Sequence, residues 1–213
     1  MKSNRARGRA IISRRSAAKI LTAAPLLFLS RTARAAPTPS AVEGPFYPTP
    51  SMRYRDIDND LVKIAGRVEK AGGEVVHLRG RVLDRNGRPV PGARVEIWQC
   101  DVNGRYLHSG DSGPHRARRD SGFQGFGFDI TRSTGDYVFR TIKPVPYPGR
   151  TPHIHVKVLH RNSEYTTQFY LAEHPLNRQD FLFRRMSKPE QDAVTMRFER
   201  SSGSPVANVD IHF

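Results

Sequence analysis

Short runs of alternating apolar and polar residues, separated by turn signals, recur along most of this chain. Successive side chains of a strand point to opposite faces, so such alternation predicts strands with one buried face. Turn sequences at 84–87 and 91–92 separate the first two runs. The predicted strands are 75–83, 93–99, 136–140, 153–160, 165–171, 195–198 and 208–213. Many short strands joined by turns favour an all-β protein, a β-sandwich of mixed short strands with long loops.

One short helix is predicted near the C-terminus. Ser187 and Glu190 are spaced as in a capping box, in which each side chain binds a free backbone N–H at the helix start. The proline-rich segment 36–52 predicts an extended arm ahead of a single sandwich domain, 53–213.

Residues 1–35 have the organisation of an export signal. Basic residues precede a short apolar stretch at 20–29, and Ala33-Arg34-Ala35 resembles a signal peptidase site. The apolar stretch is too short to span a membrane, so no stable membrane anchor is expected. The pair Arg14-Arg15 is typical of a twin-arginine signal, which predicts passage through the twin-arginine export machinery to the periplasm or beyond. An ordinary secretory signal and a basic arm are the alternatives.

The same segment accounts for most of the charge. The formal charge is +15, and residues 1–35 hold nine Lys or Arg and no Asp or Glu, so the remainder carries +6. Without a basic helix or an aromatic-basic platform in residues 36–213, this balance argues against a nucleic-acid binder. Cys100 is the single cysteine, which excludes an intramolecular disulfide and predicts a small buried side chain.

Two histidines one residue apart, His153 and His155, lie on the predicted strand 153–160. Their side chains therefore project from the same face, and two imidazoles converge on one point. Imidazole binds zinc, copper, iron and nickel, so the pair alone does not choose the metal. Surface or core histidines with hydrogen-bonding roles are the alternative.

Two tyrosines bear on that choice. Tyr147 lies between two prolines, which restrict its backbone, and Tyr106 follows an Asn-Gly turn. A phenol has an ordinary pKa of about 10, and a highly charged cation removes its proton, as metals do with bound water. Two phenolates and one hydroxide would neutralise Fe(III), and a neutral site is less costly to bury. The residues therefore favour a ferric ion, with core or turn tyrosines as the alternative.

Longer motifs resemble those of the intradiol ring-cleavage dioxygenases, a family that includes protocatechuate 3,4-dioxygenase and catechol 1,2-dioxygenase. The matching segments are 43–48 (Glu-Gly-Pro-Phe-Tyr-Pro), 80–92, 96–99 (Glu-Ile-Trp-Gln), 104–106 (Gly-Arg-Tyr), 139–144, 150–155 (Arg-Thr-Pro-His-Ile-His) and 167–170 (Thr-Gln-Phe-Tyr). They cover most of the chain after the first forty residues.

The resemblance implies a non-haem Fe(III) site and a set of roles. Its implied iron ligands are Tyr106, Tyr147, His153 and His155. It also implies that Arg150 stabilises negative charge on the substrate, that Gln168 lines the same pocket, and that Tyr147 gives way when substrate binds. The implied reaction cleaves a catechol-type ring with O2 between its two hydroxylated carbons and yields a muconate-type dicarboxylate. The resemblance leaves the substrate open among catechol, protocatechuate, hydroxyquinol and larger substituted catechols. It also leaves open how the subunits of any homo-oligomer are arranged.

Other classes fit parts of the pattern. The two tyrosines disfavour a zinc or copper enzyme. Extradiol enzymes bind Fe(II) through two histidines and a carboxylate. The nearest acidic residue after His155 is Glu164, which lies too far along the chain to be that carboxylate. A non-catalytic β-sandwich binding module is the main rival, because 80–95 also resembles strand pairs of transthyretin-like and carbohydrate-binding sandwiches. The alternative to a substrate-binding role for Arg150 is an ordinary solvated cation. The alternative to a pocket position for Gln168 is the outward face of a strand.

Overall fold

The computed structural model describes residues 36–112, 117–200 and 202–213, and most of its regular structure is β-strand. The strands are β1 (Val75–Leu83), β2 (Arg94–Trp98), β3 (Phe126–Ile130), β4 (Asp136–Ile142), β5 (His153–His160), β6 (Ser163–Leu171), β7 (Thr195–Met196), β8 (Val206–Asn208) and β9 (Ile211–His212). One α-helix, α1 (Lys188–Ala193), and 3-10 turns at Pro50–Met52, Pro175–Arg178 and Phe183–Arg185 complete the described elements. The predicted all-β class is confirmed.

The strands form two sheets. In the first sheet β1 pairs with β4, β8 and β9. The second sheet has the order β3-β2-β5-β6-β7. One buried cluster joins apolar side chains of both sheets, among them Leu78 and Phe139 from the first and Ile97, Ile154 and Val156 from the second. Burying each such side chain contributes about 1.5–3 kcal/mol, so this shared core holds the two layers together.

Most predicted elements match the observed ones. The bounds of β1 and β5 are those predicted, and α1 begins with the capping box of Ser187 and Glu190. The run 208–213, predicted as one strand, is instead divided between β8 and β9. At the break, Asp210 Oδ1 accepts a hydrogen bond of 2.8 Å from the Arg81 backbone N–H, so a carboxylate replaces a strand carbonyl there.

The sequence pattern did not predict strand β3, because the glycines at 122, 125 and 127, in and just before it, weaken the strand signal. Neighbouring atoms leave no room for a side chain at Gly127. A Cβ there would lie 2.5 Å from Leu61 Cδ1 and 2.6 Å from the Asp58 carbonyl oxygen. The loop before β1 therefore packs directly on the β3 backbone.

Replacing Gly127 with alanine is expected to lower the free energy of unfolding by about 1–3 kcal/mol, since the added methyl overpacks that contact. Chemical denaturation would measure the change. Gly203→Ala is the matched control, because a Cβ at Gly203 meets nothing within 4 Å. Equal stability of the two variants would contradict the close packing of Leu61 on β3.

The segment 36–52, expected to be an extended arm, lies against both sheets. Thr38 N–H donates to the His212 carbonyl at 3.0 Å, and Ala41 N–H donates to the Thr166 carbonyl at 2.9 Å. On the face of the second sheet that points away from the shared core, the Val42 carbonyl of the arm accepts a hydrogen bond of 3.1 Å from Gln168 Nε2, so the arm also lies over that face. Residues 1–35, which hold the predicted twin-arginine signal, lie outside the described residues. Among the described helices, none has the length and apolar character needed to cross a bilayer.

Candidate metal centre

Strand β5 is buried on both of its faces. Ile154, Val156 and Val158 point into the shared core, and the alternating positions His153 and His155 point to the opposite face of the second sheet. Both histidines are almost fully buried, with 1% and 3% of their surface exposed. The predicted common face of the two imidazoles is therefore present.

The hydrogen bonds of the histidines leave their Nε2 atoms facing each other. His153 Nδ1 lies 2.7 Å from the Thr151 carbonyl oxygen and so carries its proton, which leaves a lone pair on Nε2. That atom lies 3.2 Å from His155 Nε2. Burial lowers the pKa of His153 to about 3 and that of His155 well below 6.5. Both rings are therefore neutral near pH 7, which is the form that binds metals.

Tyr106 reaches the same point from the loop after β2. The buried Asp101 carboxylate accepts from the backbone N–H groups of Asn103 and Arg105, and Asp111 accepts from Tyr106 N–H at 2.6 Å. Gly104 takes a positive φ of 72°, as the predicted Asn-Gly turn requires. The Tyr106 hydroxyl lies 3.4 Å from His153 Nε2. Burial raises the pKa of this phenol well above 10.

Tyr147 and Arg150 are the two ends of a tight turn. Arg150 N–H donates to the Tyr147 carbonyl at 2.9 Å, and Gly149 between them has φ 81°. Proline followed by a glycine of positive φ is the sequence of a type II turn, which places its first and fourth residues side by side. The Tyr147 ring meets Tyr106 edge-on at 5.3 Å and lies 5.5 Å from His153. Burial raises the pKa of Tyr147 above 10, and nearby Arg150 acts in the opposite direction.

The four predicted ligand side chains therefore lie together. Among the described residues no three histidines, cysteines or carboxylates converge to hold a metal ion, and the donors beside the two imidazoles are phenols. Atoms that bind one first-row metal at about 2.0–2.1 Å lie about 3–3.4 Å apart. The two contacts at His153 Nε2, of 3.2 Å and 3.4 Å, fall in that range. The donor set thus fits one metal ion with two neutral nitrogens and two ionisable oxygens.

Aromatic side chains cover this group of donors. The Trp98 ring stacks on His155 at 4.7 Å, and the Phe46 ring of the arm stacks on Tyr106 at 5.0 Å. Tyr47 packs edge-on against Trp98, and its hydroxyl donates to Glu96 at 2.6 Å. This layer keeps water from Tyr106, His153 and His155, and the low polarity around them strengthens electrostatic interactions among them.

The side chains of Arg150 and Gln168 are in direct contact. Arg150 Nη2 donates to Gln168 Oε1 at 2.7 Å. Gln168 lies opposite His155 on β6 and is 1% exposed, because the arm covers this face. Arg150 also pairs with Asp180, a carboxylate that the sequence analysis did not single out, through a 2.7 Å contact to Nε. Gln168 therefore does not occupy a solvent-facing position, and Arg150 is not a solvated cation.

A protein-family model described as Dioxygenase matches residues 42–211. The beta chain of protocatechuate 3,4-dioxygenase from Burkholderia cepacia is 37% identical over 151 residues, which cover 67% of this chain and 63% of that relative. The chain belongs to the intradiol ring-cleavage dioxygenase family.

Other members of the intradiol family agree with this assignment. Catechol 1,2-dioxygenase from Candida albicans is 30% identical over 183 residues, which cover 76% of this chain and 55% of that enzyme. The chain thus spans less than two thirds of the length of these two curated relatives. The dioxygenase domain of a dioxygenase carbohydrate-binding protein fusion from Streptomyces sp. SirexAA-E superposes with a TM-score of 0.63 at 29% identity, covering 84% of this chain and 98% of that domain.

Within this intradiol family member, several residues around the donors escaped the sequence analysis. Asp101 and Asp111 hold the loop of Tyr106, and Phe46 covers it from the arm. The signal for Asp101 was present in the Asp-x-Asn-Gly sequence, since aspartate before such a turn accepts backbone hydrogen bonds. The contact between Asp180 and Arg150 joins residues thirty positions apart, and no local pattern indicates it.

Proposed function

We propose that this chain is an Fe(III)-dependent intradiol dioxygenase that cleaves a catechol-type ring with O2 between its two hydroxylated carbons, giving a muconate-type dicarboxylate. The observation that carries the proposal is the convergence of two neutral imidazoles and two phenols on one buried point. Membership of the intradiol family supports it.

Tyr106, Tyr147, His153 and His155 would hold the ion. Fe(III), when bound, supplies the positive charge that keeps phenol and catechol oxygens ionised and makes the bound catechol reactive toward O2. The donors suit that charge, because two phenolates would offset most of it at a site where the other ligands, His153 and His155, are buried and neutral.

The two tyrosines differ in their freedom to move. Tyr106 is fully enclosed, with 1% of its surface exposed, whereas Tyr147 is half-buried on a two-proline turn. Tyr147 is therefore the phenol that gives way to substrate, and its Oη accepts a proton from a catechol hydroxyl. Arg150, adjacent to Tyr147, then places its guanidinium against negative charge on the substrate.

The visible absorption spectrum of the purified protein, before and after anaerobic addition of catechol, tests this function. A broad tyrosinate-to-iron band that moves to longer wavelength with catechol is expected. A protein that stays colourless after incubation with iron would overturn the proposal and leave the non-catalytic binding module in its place.

The substrate class is proposed as small catechols. The relatives act, by their names, on protocatechuate, catechol and hydroxyquinol. The +6 charge outside residues 1–35 favours attraction of anionic aromatic acids. Oxygen uptake with these three compounds and with substituted catechols would rank them, and uptake with none would contradict the assignment.

We also propose export of this protein through the twin-arginine machinery, on the basis of Arg14-Arg15 and the apolar stretch that follows. Exchange of both arginines for lysine should retain the protein in the cytoplasm. Fractionation followed by N-terminal sequencing of the exported form measures this, with cleavage expected after Ala35. Unchanged export of the lysine variant would indicate an ordinary secretory signal.

A further inference from the structure

We propose that Asp180 is a positioning residue for Arg150, fixing the direction in which the guanidinium faces the substrate. This inference rests on the proposed function, because it assigns Arg150 the task of stabilising charge on a catechol. It concerns a carboxylate that lies outside the four donor residues and that has no role in the implied iron chemistry.

The Asp180 carboxylate is itself held rigidly. Its Oδ2 accepts from Arg150 Nε at 2.7 Å and from Thr151 N–H at 3.1 Å. Its Oδ1 accepts from the backbone N–H groups of Leu182 and Phe183 at 3.0 and 3.1 Å. The carboxylate is fully buried, so four donors and no solvent determine its orientation.

Gln168 holds a second nitrogen of the same guanidinium. Its Oε1 accepts from Arg150 Nη2 at 2.7 Å and from the Tyr170 hydroxyl at 3.1 Å. Because Arg150 and Tyr170 both donate hydrogen bonds, the side-chain oxygen of Gln168 must face them. The side-chain nitrogen of Gln168, Nε2, donates to the Val42 carbonyl of the arm at 3.1 Å. Two fixed acceptors therefore hold the planar guanidinium at two of its nitrogens.

Arg150 is also fixed beside Tyr147 by the tight turn, in which the Arg150 backbone N–H donates to the Tyr147 carbonyl at 2.9 Å. A charged group that is aligned before the reaction needs no reorganisation when charge develops on the substrate. Asp180 also compensates the buried positive charge, since only 11% of the Arg150 side chain is exposed. Loss of Asp180 would free the guanidinium to turn and would leave its charge without a partner.

A double-mutant cycle on the iron-loaded protein tests this assignment, using Asp180→Asn, Arg150→Gln and the double variant. Asp180→Asn should lower kcat roughly ten- to hundredfold, the scale of misplacing a catalytic group, and keep the tyrosinate band in place. In a protein that already carries Arg150→Gln, the Asp180→Asn exchange should lower kcat by less than about twofold, because Asp180 acts through Arg150. Asp192→Asn is the control, as Asp192 forms an exposed pair with Lys188.

Thermal unfolding of the iron-free proteins provides a readout independent of activity. The melting temperature of Asp180→Asn should lie below that of the double variant, because a single exchange leaves a buried charge unpaired. Should Asp180→Asn not fold, Asp180→Glu keeps the charge and displaces the guanidinium, and it should lose kcat while retaining iron.

The possible outcomes separate the two proposals. A wild-type protein that cleaves no catechol overturns the proposed function. An active wild type whose kcat is unchanged by Asp180→Asn, or is lowered equally in both backgrounds, overturns only the role of Asp180. Wild-type kcat in Asp180→Glu would equally show that the direction of the guanidinium does not matter.

Discussion

Replacing His155 with alanine is expected to abolish iron binding, visible colour and ring cleavage together. His155 Nε2 lies 3.2 Å from His153 Nε2, and its buried, neutral ring has no other polar function in the described structure than this convergence. Loss of an outer-shell partner of a metal ligand typically costs 10–100-fold in affinity or activity, so loss of a ligand should cost at least about 100-fold. Iron content per chain after desalting, the visible spectrum and oxygen uptake with catechol measure these effects.

His160→Ala is the matched control, because His160 lies on the same strand, β5, at its far end. This variant should keep full iron content and colour. His155→Ala also removes the ring that stacks on Trp98, so near-ultraviolet circular dichroism must show that the fold is retained. A folded His155→Ala protein with unchanged iron content would contradict the metal centre and favour a binding module.

The parts of the site that the sequence predicted are those fixed by local geometry. His153 and His155 share a face because strand side chains alternate, and this holds wherever the strand lies. The Asn-Gly turn before Tyr106 is present as well, with Gly104 at a φ of 72°. Such features need only a few neighbouring residues, so their patterns survive in one sequence.

The parts that were missed depend on contacts between distant residues. Gly127 looks like a weak strand position until Leu61 is placed against it. Phe46 lies sixty positions before Tyr106, and neither the extended conformation expected of its segment nor the family resemblance of residues 43–48 places its ring on that tyrosine. The pairing of Asp180 with Arg150 is equally non-local. Contacts that loops make with each other and with the second sheet decide these three features, and periodicity along the chain carries no information about such contacts.

Exchanging the two tyrosines for phenylalanine one at a time is expected to separate binding from turnover. Tyr106→Phe removes a fully buried donor 3.4 Å from His153 Nε2 and should lose most of the iron and the visible band. Tyr147→Phe removes the half-buried phenol and should keep iron and a band from Tyr106. Its kcat should fall by roughly 10²–10⁴, the usual contribution of a positioned proton acceptor. Iron content, the spectrum and oxygen uptake distinguish the two results.

Tyr137→Phe controls for the loss of a buried hydroxyl. Tyr137 lies in the shared core, where its hydroxyl donates to the Val209 carbonyl, and its replacement should cost about 1 kcal/mol of stability without changing iron content. If Tyr106→Phe only destabilised the protein, it would, like Tyr137→Phe, lower the stability and leave the iron content unchanged. Equal iron loss in Tyr106→Phe and Tyr147→Phe would contradict the different roles that we assign to the two phenols. Because Tyr106 is enclosed by Phe46 and held through Asp111, we expect it to stay in place while Tyr147 exchanges with substrate.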